Sequence, residues 1–162
     1  MSVNKIVFDS FEEDVFYLCA IHSSLPSYKM AFLLNKFIGL QFARSNKDIE
    51  LISEDVLEVY PCYIFEDKEN YTEYSLIKNK CFFEKKVIME KGDLFINESV
   101  ERSVKNLIPE YKKVDYFLKI ETDNLNYSTR LLVSEIIKIN QVIASFEVDY
   151  ETINSKSNLI IE

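Results

Sequence analysis

This sequence is short of the residues from which most recognisable active sites are built. In 162 residues it has two glycines, three prolines, three cysteines, one histidine and no tryptophan. Two glycines cannot form the Gly-rich loop that cradles a phosphate, which excludes the common nucleotide-binding motifs. One histidine and three scattered cysteines (Cys19, Cys62 and Cys81, with no CxxC pair) cannot supply a zinc set by spacing, so no metal and no cofactor is expected. The cysteines lie in apolar stretches and read as small buried hydrophobes in a reduced compartment. Positive charge is also short: 19 Lys and Arg against 27 Asp and Glu leave a net charge of −8. A nucleic-acid binder draws its non-specific affinity from cations that neutralise phosphates, and an anionic membrane surface selects for them too. Neither partner is expected. No apolar run approaches the roughly 18 residues of a membrane span. The start, with Lys5 followed by Asp9, Glu12, Glu13 and Asp14, does not fit a signal peptide. The expected location is the cytoplasm.

What is present is apolar and aromatic. Hydrophobic residues make up 48% of the chain and aromatics 14%, far too much for a disordered polypeptide. A chain of this size buries about 68–70% of its unfolded surface and needs no disulfide or metal staple. The expectation is one domain over 1–150, with 151–162 as a loose tail rich in Asn, Ser and Lys whose apolar end, Leu159-Ile160-Ile161, is able to dock.

The run from Val15 to Ile21 predicts a buried strand. His22-Ser23-Ser24-Leu25-Pro26 follows, with two candidate N-caps and a helix-opening proline. The spacing predicts a helix from Ser27, with Tyr28, Ala31, Phe32 and Asn35 on one stripe and Leu33, Leu34, Phe37 and Ile38 beside it, stopped by Gly39. Leu40 to Ala43 then predicts a short strand. Glu58–Phe65 and Thr72–Lys78 predict paired strands around the polar loop Glu66–Asn70. Lys80–Phe83 and Val87–Glu90 extend this meander to a turn at Lys91-Gly92-Asp93, and Glu98–Leu107 suits either a short helix or an edge strand. Val114–Glu121 predicts a second core strand, Leu125–Asn140 a second helix, and Gln141–Val148 a closing strand. The tyrosines of the meander (Tyr60, Tyr63, Tyr71, Tyr74) fit either an outward aromatic face or the core.

The fold class is therefore α+β, a mostly antiparallel sheet with two helices packed on one face. Phe16–Ala20 and Tyr116–Ile120 echo each other, each followed by polar residues, a leucine and a helix. This fits duplicated β-α-β units, ferredoxin-like or ACT-like by analogy, and equally two unrelated segments sharing one pattern.

The segment Ile108-Pro109-Glu110-Tyr111-Lys112-Lys113-Val114-Asp115-Tyr116 resembles the uncharacterised bacterial family named for its motif, IPExxxVDY. Ile21–Leu25 and Tyr28–Asn35 resemble that family's N-terminal part, so the likeness covers nearly the whole chain. It implies a shared architecture and brings no activity, substrate or catalytic residue. Physically, Pro109 suits a turn, Glu110 is placed to accept from free backbone N–H groups, and Val114 and Tyr116 face away from Asp115 on the following strand. That reading is a structural turn. The rival is a recognised polar patch of Glu110, Asp115 and Tyr116.

His22 is the only base of its kind, at a strand end beside Ser23 and Ser24. Sequence neighbours seldom align as nucleophile and base, and no third group orients them, so no catalytic residue is expected. The site candidates are His22, Ser23, Ser24, Glu110, Asp115 and Tyr116. The functional expectation is a non-enzymatic interaction or adaptor protein, with a protein partner or self-association as a homodimer. The alternative is a regulatory domain that holds a small anionic or amino-acid ligand near His22-Ser23-Ser24, where helix N–H groups favour anions.

Overall fold

The computed structural model describes residues 16–88 and 98–161. The elements, in order, are β1 (Tyr17–His22), α1 (Ser27–Ile38), β2 (Ala43–Arg44), β3 (Ile49–Ser53), β4 (Val56–Tyr60), β5 (Cys62–Asp67), β6 (Thr72–Lys78), β7 (Lys80–Ile88), β8 (Glu98–Asn106), β9 (Tyr116–Thr122), α2 (Thr129–Ile137) and β10 (Ala144–Val148). Six strands form an antiparallel sheet in the order β10-β1-β9-β6-β5-β2, while β3-β4 and β7-β8 are separate two-stranded ribbons. The α+β expectation therefore holds.

Strands β1 and β9 are almost continuously apolar because the sheet is covered on both faces. Alternate side chains point to opposite sides. Cys19, Ile21, Leu76, Leu118 and Ile120 meet Met30, Ala31, Leu33 and Leu34 of α1 and Leu132 and Ile136 of α2. Leu18, Ala20, Ile77 and Phe117 face the other way, onto Ile49, Tyr60, Cys81, Leu107, Ile108 and Leu159. The one cation inside these two strands, Lys119, reaches Glu121 at 2.9 Å and lies 4.9 Å from the Phe16 ring centroid.

The predicted helix after Pro26 runs as expected, but its buried stripe is Met30, Ala31, Leu33 and Leu34, leaving Tyr28 and Phe32 exposed. Gly39 ends it at φ +80°, a left-handed conformation that disfavours any side chain. Phe42 is not in a strand, contrary to expectation. The Asn35 amide accepts from its N–H at 2.8 Å and donates to its carbonyl at 3.1 Å, taking both groups a neighbouring strand would use. Only Ala43–Arg44 pair, at the far edge of the sheet. The expected strand Glu58–Phe65 is two strands, because Pro61 has no N–H to continue a ladder. Glu98–Asn106 is a strand throughout, paired with β7. The turn expected at Lys91-Gly92-Asp93 lies outside the described residues, as does Val15.

Helix α2 begins at Thr129 rather than Leu125. Asn124 accepts from the Asn126 N–H, a local bond that competes with helix, and Ser128 then caps α2 by accepting from the Leu131 N–H. Tyr60 and Tyr74 are buried and Tyr74 stacks on Phe65, so those meander tyrosines belong to the core, while Tyr71 is exposed. In 151–161, expected as a loose tail with an apolar end able to dock, two 3-10 turns place Ile153 and Leu159 in the second core layer.

Candidate functional site

Asp115 joins the two halves of the chain. One carboxylate oxygen, Oδ2, accepts from His22 Nδ1 and from the Ser23 backbone N–H at 2.9 Å; the other, Oδ1, accepts from Lys80 Nζ at 2.7 Å. The backbone repeats the connection, with the Asp115 N–H donating to Ile21 and its carbonyl accepting from Asn79. The carboxylate is 15% exposed, Lys80 22% and His22 40%, so the pair is shielded while the imidazole still reaches solvent. With Nδ1 donating to Asp115, the other ring nitrogen, Nε2, makes no hydrogen bond among the described residues.

The structure thus unites three of the six candidates, His22, Ser23 and Asp115. Ser23 is fully engaged: its hydroxyl donates to the Gln141 carbonyl at 2.8 Å and accepts from the Leu25 N–H. Ser24 is exposed. Neither serine caps α1, whose N-cap position is Pro26, without a side-chain bond. Glu110 is drawn away to the chain end, where it accepts from the N–H groups of Asn154 (2.8 Å) and Ser155 (3.0 Å) and from the Ser155 hydroxyl. Burial alone would push its carboxyl up, but these donors together with its own backbone N–H hold it below the usual range. Tyr116 lies on the helix side, its hydroxyl donating to the Leu25 carbonyl, and burial pushes it up to about 12.

Every fixed letter of the motif therefore has an architectural duty. Ile108 and Val114 are buried, and Pro109 opens a 3-10 turn, Pro109–Tyr111. The residue that holds this segment was not foreseen. Asn79, wholly buried between β6 and β7, donates to the Tyr111 and Val114 carbonyls, each at 2.9 Å, and accepts from the Ile108 N–H at 2.9 Å. Its own carbonyl also accepts from Leu107 at 2.8 Å. The available signal was an amide standing alone between two predicted strands, a place where a side chain substitutes for missing ladder bonds.

Beside His22 opens a groove of about 570 Å³, lined by His22, Tyr111, Val114, Ala144 and Phe146, with Glu110 and the Lys112-Lys113 pair on its rim. Its wall is β10, which ends the sheet: no strand pairs with its outer side among the described residues. Phe146 is 41% exposed and stands 6.4 Å from the Tyr111 ring, and Ile143, just before β10, is exposed as well.

Other chemistry is muted. Burial pushes the Cys19 and Cys62 thiols up to about 12, so neither presents a thiolate nucleophile. Among the described residues there is no group of three or more His, Cys, Asp or Glu able to hold a metal ion, and no helix long and apolar enough to cross a membrane. Comparison with family models, with curated proteins and with solved structures finds no match.

Proposed function

We propose that this chain is a non-enzymatic protein-interaction domain whose recognition element is the outer edge of β10 together with the groove beside it. One observation carries this reading: β10 is a five-residue edge, Ala-Ser-Phe-Glu-Val, with no proline or lysine. Exposed sheet edges are normally blunted by such residues or by shortening, because unpaired N–H and C=O groups recruit another strand. The opposite edge is blunted in that way, being two residues long with Arg44 engaged by Asp48. An extended segment laid along β10 gains main-chain hydrogen bonds, and the groove at Phe146 and Tyr111 receives its alternate side chains. His22, oriented by Asp115, offers that segment its second ring nitrogen, Nε2.

The order β10-β1-β9-β6 with both helices on one face supports a ferredoxin-like or ACT-like plan, and the nine-residue motif supports membership of the IPExxxVDY family. Neither carries an activity. The alternative, an anionic ligand at His22-Ser23-Ser24, has less behind it, since the Asp115 carboxylate already takes the Ser23 N–H.

The test is a photo-crosslinking phenylalanine analogue at position 146, against the same analogue at the exposed Tyr71. The expected result is one adduct specific to position 146, mapped by mass spectrometry and lost when Ile143→Lys sets a charge beside the edge. The same adducts at both positions would sink the proposal.

A further inference from the structure

We infer that the segment received by β10 is β10 of a second copy of this chain, paired antiparallel about a twofold axis at Phe146. This rests on the reading above and names the partner. Strand register selects this pairing. A twofold perpendicular to the joined sheet keeps each residue on its own face, so facing residues must share a side and the axis must pass through a whole residue. With the axis at Phe146, all five residues of β10 find partners: Phe146 meets Phe146, Ser145 meets Glu147, and Ala144 meets Val148. No like charges face each other. Moving the axis to Glu147 sets that carboxylate against itself, which is destabilising across a strand pair. Moving it to Ser145 takes Glu147 and Val148 out of the ladder and sets Phe146 against Ala144.

The central register also suits the side chains. Phe146 projects to the face that carries Tyr111 and the groove, so two half-exposed rings and two grooves adjoin at the axis. Ser145 is buried and bonded to the Ala20 carbonyl within its own copy at 2.9 Å, and asks nothing of the partner. The result is one continuous sheet across both copies. A five-residue ladder with two phenylalanines falls short of the ~1,200 Å² of a standard interface, so the dimer exchanges with monomer as concentration changes.

Two measurements decide it. In sedimentation equilibrium the wild-type mass should rise with concentration from one chain toward two, and Phe146→Lys, which sets two ammonium groups on the axis, should weaken association at least tenfold. Under mild oxidation Phe146→Cys should give a self-disulfide, because the introduced thiol would face its own copy across the axis. Ala144→Cys, displaced along the strand, should not; Cys19, Cys62 and Cys81 are buried and stay silent. A wild-type mass that stays at one chain at every concentration, with no Phe146→Cys adduct, overturns the inference. Efficient linkage through Ala144→Cys instead overturns the register. If position 146 crosslinks to another protein, or to residues 1–15 of its own chain, the second copy is refuted. Of these, only the other protein leaves the interaction reading standing.

Discussion

Two carboxylates organise polar networks in this molecule, and they end differently. Glu58 is buried in the ribbon layer, where it accepts from the Ser53 hydroxyl, from the Tyr60 hydroxyl at 2.6 Å and from Lys105 Nζ at 3.0 Å. Asp115 also takes a lysine and further donors, at the rim of the groove. In the Glu58 network Lys105 also reaches the Ser53 hydroxyl and, at 3.7 Å, the exposed Glu54 carboxylate, and the bonds tie β4 to β8. The Asp115 network leaves one atom over, Nε2 of His22. Glu58 is enclosed among its donors, whereas the ring of His22 lines the groove beside β10 with Nε2 unbonded among the described residues.

The contrast can be broken from its rigid side first. Glu58→Ala leaves the buried Tyr60 hydroxyl without its acceptor and the Lys105 ammonium with only Ser53 and Glu54, and should cost about 2–4 kcal/mol in urea unfolding. Asp115→Ala frees Lys80 and His22, which water can reach, and should cost about 1–2 kcal/mol by the same measurement. A loss equal to or above that of Glu58→Ala would show that the two networks do not differ.

Acid separates them further. Burial would push Glu58 up, but the hydroxyls of Ser53 and Tyr60 and then the Lys105 ammonium outweigh it and hold its carboxyl below the usual range. A group depressed in the folded state is more protonated in the unfolded one at the same pH. Its contribution is therefore present above the unfolded carboxylate value of about 4.3 and fades as pH falls through the lower folded value. Unfolding free energy measured from about pH 6 down to about pH 3 should fall less steeply in Glu58→Gln than in the wild type. The smallest effect on stability belongs to His22→Ala, expected within about 1 kcal/mol because the ring is 40% exposed. Its consequence should appear instead as a weaker crosslink at position 146.

Much of this architecture was readable from the chain. The apolar runs Tyr17–Ile21 and Tyr116–Ile120, the second broken only by Lys119, marked the strands covered on both faces, and Pro26 and Gly39 bracketed α1. Local competition was harder to read: Asn35 occupies the backbone of Phe42, and Asn124 takes the Asn126 N–H ahead of α2, through side-chain bonds that a hydropathy pattern does not register. The site was legible as residue types but not as a set. His22 and Asp115 were both singled out, yet only the pairing of β1 with β9 brings them together. Lys80 and Asn79 sit at a corner between strands, and their partners lie in the motif loop. No spacing along the chain encodes that meeting.

The strand order also dictates how the molecule must assemble on the ribosome. β1 is made well before both its neighbours, β9 and β10, which follow it by about a hundred residues or more. Its apolar edges therefore wait unpaired while the intervening chain is made, and the sheet closes only when β10 emerges. Such distant pairing is slow and leaves hydrophobic surface open to other chains. The nascent polypeptide should lean on chaperones, and resistance to protease should appear only once β10 has left the exit tunnel.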